Sequence, residues 1–287
     1  MNHLSTTLLL LASITSMVLQ NCLFNKCCKT RLKSDLHINL FNITMYSVCI
    51  VIFGLLMFKE KISVFTVLLG LLFGVVTALS NTYKLAALTT GPMHITLLVT
   101  TSSMIIPAMS GIFFGETFSI AKLGVVIVLI ACIYLSIPKS SDAKISMKWL
   151  LRCALAFIFQ GSVGIIQKIH QSSVHKAEVS GFLFFSFICA AVFCLIRNRG
   201  IPKQVALDKA TVIIGLVSGG CSFAMNYINL KLSGLLPSQL FFPLINGSAI
   251  ILSSVMAVVL FKENLSKRQT VGLIGGILSL IGICFVP

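Results

Sequence analysis

Long runs without charge govern what this chain can fold into. Val64–Tyr83 and Ala210–Leu230 contain no Asp, Glu, Lys or Arg. A hydrocarbon core of about 30 Å is crossed by about 20 helical residues. Ten candidate spans of that order follow: Leu4–Asn25, Leu36–Phe58, Val64–Leu88, Pro92–Gly115, Lys122–Ile137, Met147–Lys168, Val179–Ile196, Ala210–Ser233, Pro237–Phe261 and Gln269–Val286. The fifth is the shortest, and Lys122 is expected to snorkel and complete it. The runs are continuously apolar rather than alternating, which favours helices over barrel strands. The expected fold class is all-α: a polytopic membrane protein of ten transmembrane helices, with loops too short to hold a soluble domain. With 57% hydrophobic and 10% charged residues and a mean hydropathy of +1.02, an ordinary soluble domain is excluded. The first span lacks a basic n-region and a small-residue cleavage site, so it reads as a retained helix.

The chain also repeats itself. Thr66, Gly70, Gly74, Asn81, Leu85 and Pro92 recur as Thr211, Gly215, Gly219, Asn226, Leu230 and Pro237 at a constant offset of 145. After a slip of two residues, Phe114, Glu116 and Ser119 recur as Phe261, Glu263 and Ser266. Duplication inside a membrane-embedded chain is the ground plan of many secondary transporters. The boundary is expected in the polar segment Lys139–Ser146, giving five-helix repeats over 1–140 and 141–287. Five is odd, so the second repeat enters the membrane inverted, about a pseudo-two-fold axis in the membrane plane.

The repeated residues have physical readings. Gly70 with Gly74, and Gly215 with Gly219, lie one helical turn apart and admit a close helix approach. Pro92 and Pro237 suit the first turns of helices four and nine. Pro107 and Pro243 lie inside those helices, where each removes a backbone bond and can kink the helix toward a cavity. Glu116 and Glu263, beside Thr117, Ser119, Asn264 and Ser266, read as polar turns capping the helices that follow.

The formal charge is +15, from 22 Lys and Arg against 7 Asp and Glu. These basic residues are dispersed over loops, which points to lipid headgroups and topology rather than nucleic acid. The loops after odd-numbered spans carry 16 of the 22, so the positive-inside rule places both termini outside. The ten cysteines are scattered, mostly within spans, and read as small apolar filler rather than a zinc site or disulfide framework. No metal or cofactor is expected.

Phe114-Gly115-Glu116-Thr117-Phe118-Ser119 followed by Leu123-Gly124, and Phe261-Lys262-Glu263-Asn264-Leu265-Ser266 followed by Gly272, resemble a "GE-x-hydrophobic-Ser…Gly" signature. That signature closes each repeat of the EamA-type transporters of the drug/metabolite transporter superfamily. The resemblance spans essentially the whole chain and implies export or exchange of small metabolites by alternating access. It departs from the pattern at Lys262, which stands for a glycine, and in the longer Glu263–Gly272 spacing. The resemblance also implies cytoplasmic termini, against the charge count.

Polar side chains at lipid depth are costly unless they face protein or a watery cavity. Helix four carries His94, Thr96, Thr100, Thr101, Ser102 and Ser103. Helix nine carries Ser238, Gln239, Asn246 and Ser248. Helices three and eight add Asn81, Tyr83, Asn226, Tyr227 and Asn229; helix six adds Gln160, Ser162 and Gln167; helix one adds Gln20 and Asn21. The candidate substrate-binding set is Asn81, Tyr83, Thr100, Thr101, Ser103, Gln160, Asn226, Tyr227, Gln239 and Asn246. The structural alternatives are hydroxyls bonded to their own helix backbone, amides bridging helices, an interfacial His94, and snorkelling for Lys84 and Lys231.

All seven acids, Asp35, Glu60, Glu116, Asp142, Glu178, Asp208 and Glu263, fall in loops or at span ends. Antiport of organic cations through a mid-membrane acid is thereby disfavoured, and a neutral, zwitterionic or anionic solute fits better. The expected function is a secondary transporter of the plasma (cytoplasmic) membrane exporting a small polar or amphipathic metabolite. Its expected partners are the bilayer, the solute and a second copy packed through peripheral helices five and ten. The alternatives are a channel or facilitator, though no filter motif is present, and a non-transporting subunit of a lipid-carrier translocation system. There is no His-Glu-x-x-His, Gly-x-Ser-x-Gly or phosphate-cradling glycine loop, so an enzyme is not expected.

Overall fold

The computed structural model describes residues 3–32, 34–90, 96, 99–100, 102–117, 119–136, 146–198, 207–261 and 266–285. Pro92, His94, Thr101, Asp142, Lys262, Glu263 and Asn264, and all of the expected repeat boundary except Ser146, lie outside the described residues. The helices are α1 (His3–Thr30), α2 (Asp35–Met57), α3 (Val64–Thr90), α4 (Ile105–Ser110, running on as a 3₁₀ turn over Gly111–Phe114), α5 (Ile120–Ser136), α6 (Met147–Ser172), α7 (Val179–Arg197), α8 (Lys209–Ser233), α9 (Ser238–Phe261) and α10 (Lys267–Phe285). No strand occurs among the described residues. Among them, the six helices α1, α2, α3, α6, α7 and α8 are long and apolar enough to cross a membrane. The protein is an all-helical, membrane-embedded bundle.

Local chemistry sets the helix starts. Ser34 and Ser146 accept hydrogen bonds from His37 N (3.4 Å) and Trp149 N (3.2 Å) at the starts of α2 and α6. Ser119 accepts from Lys122 N (3.3 Å) before α5. Its repeat partner Ser266 accepts from Gln269 N (3.3 Å) while Gln269 Oε1 accepts from Ser266 N (2.8 Å), a reciprocal capping box before α10. Gly115, at φ +72°, ends the 3₁₀ turn in the left-handed conformation that suits glycine.

Helix four is not the continuous span expected over Pro92–Gly115. Ser103 and Met104 form a turn, and α4 begins at Ile105. The cause is Pro107, which has no N–H to give Ser103 O; Ile106 N takes that carbonyl at 3.0 Å instead, and Ala108 N takes Met104 O at 3.1 Å. Pro243, by contrast, is carried within α9.

The main packing runs between the two halves of the chain: α2 on α7 and α8, α3 on α6 and α7, α1 on α8 and α9, α4 on α6 and α9, and α5 on α10. The repeated glycines sit at two of these crossings. A Cβ at Gly74 would lie 2.2 Å from Ser186 O on α7, and one at Gly70 2.8 Å from Phe182 O. A Cβ at Gly219 would lie 2.6 Å from Met45 O on α2. In lipid, where no hydrophobic force drives helices together, such backbone-to-backbone approach supplies the packing.

One end of the bundle is braced by acids that cap helices distant in sequence. Glu60, in the α2–α3 loop, accepts from Ser180 N (3.0 Å) and Gly181 N (2.8 Å) at the start of α7. Glu178, just before α7, accepts from Ser63 N and Ser63 Oγ (both 2.8 Å) at the start of α3. Each carboxylate thus meets a positive helix N-terminus of the other half. Glu116 does not cap the following helix, as its sequence suggested. It accepts from Ser238 N (2.7 Å) and Ser238 Oγ (3.1 Å) at the start of α9 and pairs with Lys168. The opposite end is held by ion pairs, Arg31 with Asp208 and Arg152 with Asp35 (3.5 Å), and by Asn39 to Asn198 (2.9 Å).

Burial works against the charge of Glu178, but bonds from Ser63 N–H, the Thr66 and Ser63 hydroxyls and His175 outweigh it and pull its carboxyl down to about 2 from 4.5. A depressed carboxyl contributes stability that is complete above the unfolded value and is lost as pH falls through the folded one. The detergent-solubilised protein should therefore lose melting temperature between pH 4.5 and about 2, and Glu178→Gln should flatten that part of the profile. An unchanged profile in the variant would remove Glu178 from the acid response.

Candidate functional site

A cavity of about 110 Å³ lies inside the bundle, lined from α1, α3, α6, α7, α8 and α9 and by Thr100, Ser103, Met104 and Pro107. A single water needs ~10–15 Å³ on this measure, so there is room for more than one. Carboxamides dominate its polar wall. Gln20 and Asn21 come from α1, Asn81 from α3, Gln160 and Gln167 from α6, Asn226 and Asn229 from α8, and Asn246 from α9. Thr77, Ser80, Thr100, Ser103 and Ser222 add hydroxyls and Lys84 an ammonium, and the remainder is apolar or sulfur-bearing, including Met17, Met104, Met225, Phe187 and Phe241.

Most of these amides are anchored at one end by the protein. Gln20 Nε2 donates to Ser222 Oγ (2.6 Å) and Ser218 O (3.2 Å), joining α1 to α8. Asn81 Nδ2 donates to Tyr46 OH (3.0 Å), joining α3 to α2. Gln160 Oε1 accepts from Ser80 Oγ (2.8 Å), joining α6 to α3. Asn229 Oδ1 accepts from Ser13 Oγ on α1. Asn226 and Asn246 each donate to the carbonyl one turn back, Ser222 O (2.8 Å) and Phe242 O (2.9 Å). A carboxamide has two donors and a two-pair acceptor. One anchoring bond fixes its orientation and leaves capacity for a solute or water.

Of the candidates read from sequence, Asn81, Thr100, Ser103, Gln160, Asn226 and Asn246 come together on the cavity wall. Thr100 and Ser103 bond their own backbone, to Thr96 O (2.9 Å) and Thr100 O (2.5 Å), as the structural alternative had it. Thr101 lies outside the described residues.

Tyr83, Tyr227 and Gln239 are not on this wall. Tyr83 stacks on Phe159 with centroids 6.0 Å apart. Tyr227 stacks on Phe223 at 6.1 Å, and its hydroxyl accepts from Lys231 Nζ at 2.7 Å. Gln239 is drawn to the α5 start, where its Oε1 accepts from Ser119 N (3.0 Å) and its Nε2 donates to Ser119 O (3.3 Å).

Two lysines also depart from expectation. Lys84 does not snorkel away from the protein: it lines the cavity, with Nζ 3.3 Å from Asn21 Oδ1 and 5.7 Å from the Phe24 ring centroid. Lys168 is not a headgroup contact but is buried at the braced end, donating to Ser233 O (2.9 Å) and Leu236 O (3.4 Å) beside Glu116. Gln20, Asn21, Gln167 and Asn229 were visible as lipid-depth polar residues, but only the packing of their helices directs them to one cavity. Thr77 and Ser222, related by the offset of 145, both line it and were missed.

Among the described residues there is no group of three or more His, Cys, Asp or Glu side chains suited to a metal ion. No family model matches the chain, and no curated protein matches it in sequence. A solved structure described as "Crystal structure of protein" superposes with a TM-score of 0.71 over 97% of this chain and 99% of its own, at 14% identity. At that identity the likeness establishes a shared fold and nothing more.

Proposed function

We propose that the protein is a secondary transporter that exports a small polar solute across the cytoplasmic membrane by alternating access. In this reading it is built as two inverted five-helix repeats, 1–140 and 141–287, like the EamA-type transporters that its sequence resembles. The observation that carries the proposal is the convergence of eight carboxamides, from helices of both halves, on one cavity inside a membrane-embedded bundle. Polar groups are kept at that depth where they face a watery path.

The helix pairing supports the repeat architecture. Adding or subtracting five from the helix numbers turns α3–α6 into α8–α1, α3–α7 into α8–α2, and α1–α9 into α6–α4; α2–α7, α4–α9 and α5–α10 map onto themselves. That is the pattern a two-fold relation between halves produces. The unequal ends support rocking: one is braced by part-buried carboxylates bonded to helix N-termini, the other by ion pairs whose acids, Asp35 and Asp208, are exposed. The peripheral pair α5 and α10 stays off the cavity wall and is the surface we assign to a second copy.

The test is metabolite profiling of cells and medium, with wild type, Asn81→Leu, Asn226→Leu and Ser47→Leu at matched membrane levels. Ser47 is exposed on α2 and donates only to Thr44 O, at 2.7 Å. One lost polar contact of about 1.5 kcal/mol is about tenfold in affinity. The Asn variants should therefore export at least about tenfold less of one solute while Ser47→Leu matches wild type. Equal export from all four would take the cavity out of the transport path.

A further inference from the structure

The two halves of the cavity wall follow one plan but do not complete it equally. On α3 and α8 the offset of 145 carries Thr77 to Ser222 and Asn81 to Asn226. On α2 and α7 the offset is 141, because Gly74 meets Ser186 O where Gly219 meets Met45 O, and this carries Tyr46 to Phe187. On α1 and α6 it is 143, because Met17, Gln20 and Asn21 line the cavity at the spacing of Gln160, Val163 and Gly164. Gln20 therefore corresponds to Val163.

Each half anchors one polar residue and omits the anchor of its counterpart. Asn81 donates to Tyr46 OH (3.0 Å), whereas Asn226 has Phe187, without a hydroxyl, at that register position. Ser222 Oγ accepts from Gln20 Nε2 (2.6 Å), whereas Thr77 has Val163 at that position. The consequence is plain in the bonding. Among the described residues Asn226 bonds only Ser222 O of its own helix. The hydroxyl of Thr77, a residue 9% exposed, has no hydrogen-bond partner. Gln167 on α6 is 5% exposed and makes no hydrogen bond among the described residues. All three line the cavity, as do Val163 and Phe187. A polar group buried without a partner is costly, and on a cavity wall a bound molecule can supply that partner.

Resting on the transporter reading above, we infer that Thr77, Gln167 and Asn226 hold the carried solute, a small amphipathic molecule with at least two uncharged hydrogen-bonding groups on a hydrocarbon frame. A hydroxyl and two carboxamides each offer both a donor and an acceptor, so they take hydroxyl, amide or carbonyl groups of the solute. Val163 and Phe187, which stand where the anchors are omitted, pack against its hydrocarbon frame. Thr77 and Gln167 belong to one helix pair, α3 and α6, and Asn226 to α8, so bound solute bridges elements from both halves of the chain.

The experiment uses the full-length protein reconstituted into liposomes loaded with the low-molecular-mass extract of the cells that express it. Mass spectrometry reads what leaves, against protein-free liposomes, and the melting of each variant is measured in detergent. Thr77→Val and Gln167→Met remove groups that bond nothing in the protein, so both should melt at or above wild type. Both should nevertheless release the solute about tenfold more slowly at sub-saturating load. A purely structural role would give the melting result without the loss of release. Release at the wild-type rate by either variant, or a lower melting temperature in either, overturns the assignment and leaves the transporter reading standing. So does an inorganic ion, or a solute without two uncharged hydrogen-bonding groups, as the one released. Release of no solute above the protein-free control overturns both. The wild-type arm decides the class of solute even where a variant fails to reconstitute.

Discussion

Lys168→Met should be the most damaging charge substitution in the protein. Breaking a buried ion pair from one side costs about 3–5 kcal/mol, because the other charge is left uncompensated. The side chains of Lys168 and Glu116 are 8% and 17% exposed, which places the pair in that class rather than among surface bridges. The lysine also donates to Ser233 O and Leu236 O, and the glutamate accepts from the first residue of α9, so one pair ties α6, the α8–α9 loop and the segment after α4. In detergent, Lys168→Met should melt well below wild type. Lys168→Met with Glu116→Gln should recover much of the loss, since glutamine can still accept from Ser238 without carrying a charge. If the single variant melts with wild type, the pair does not hold the braced end together. If the double variant is no better than the single, the damage lies in the lost carbonyl contacts instead.

Gly74→Ala should destabilise the bundle although it adds one methyl group. That methyl would lie 2.2 Å from Ser186 O and 2.8 Å from Cys189 Cβ, and because the nearest atom is backbone, α3 and α7 must move apart. Overpacking of this kind costs about 1–3 kcal/mol and occasionally more, enough to outweigh the ~1 kcal/mol that alanine gains over glycine in a helix. Gly219→Ala meets Met45 O at 2.6 Å in the α8–α2 crossing and should act in the same direction. Gly124→Ala is the control: nothing lies within 4 Å of its Cβ, so it should melt at or above wild type. Combining Gly74→Ala with Gly219→Ala should add the two losses, because the crossings share no partner. A Gly74→Ala protein as stable as Gly124→Ala would mean the helices can separate at no cost, and the close approach would lose its structural importance.

The glycine pairs show how far the sequence reaches. Gly70 with Gly74 and Gly215 with Gly219 announce a close helix contact through spacing alone, since residues one turn apart share a helix face. Which helix fills that contact, α7 for one pair and α2 for the other, is not written in the spacing. The same division runs through the site. Asn81 and Tyr83 look equally good as lipid-depth polar residues, yet about 200° of helical rotation sends one to the cavity and the other to Phe159. Glu116 was legible as a helix cap, but the helix it caps begins 122 residues later.

Apolar length and capping residues are properties of segments of about 20 residues, so the sequence by itself determined that the chain is helical and membrane-embedded, and it shows residues recurring at an offset of 145. The assembled bundle alone decided which amides share a cavity, that Lys84 lines its wall, and that Glu60, Glu116 and Glu178 brace one end. Each of those facts depends on the rotation of one helix against another far away in the chain. In lipid that rotation is chosen by side-chain packing and interhelical hydrogen bonds rather than by a hydrophobic force between the helices.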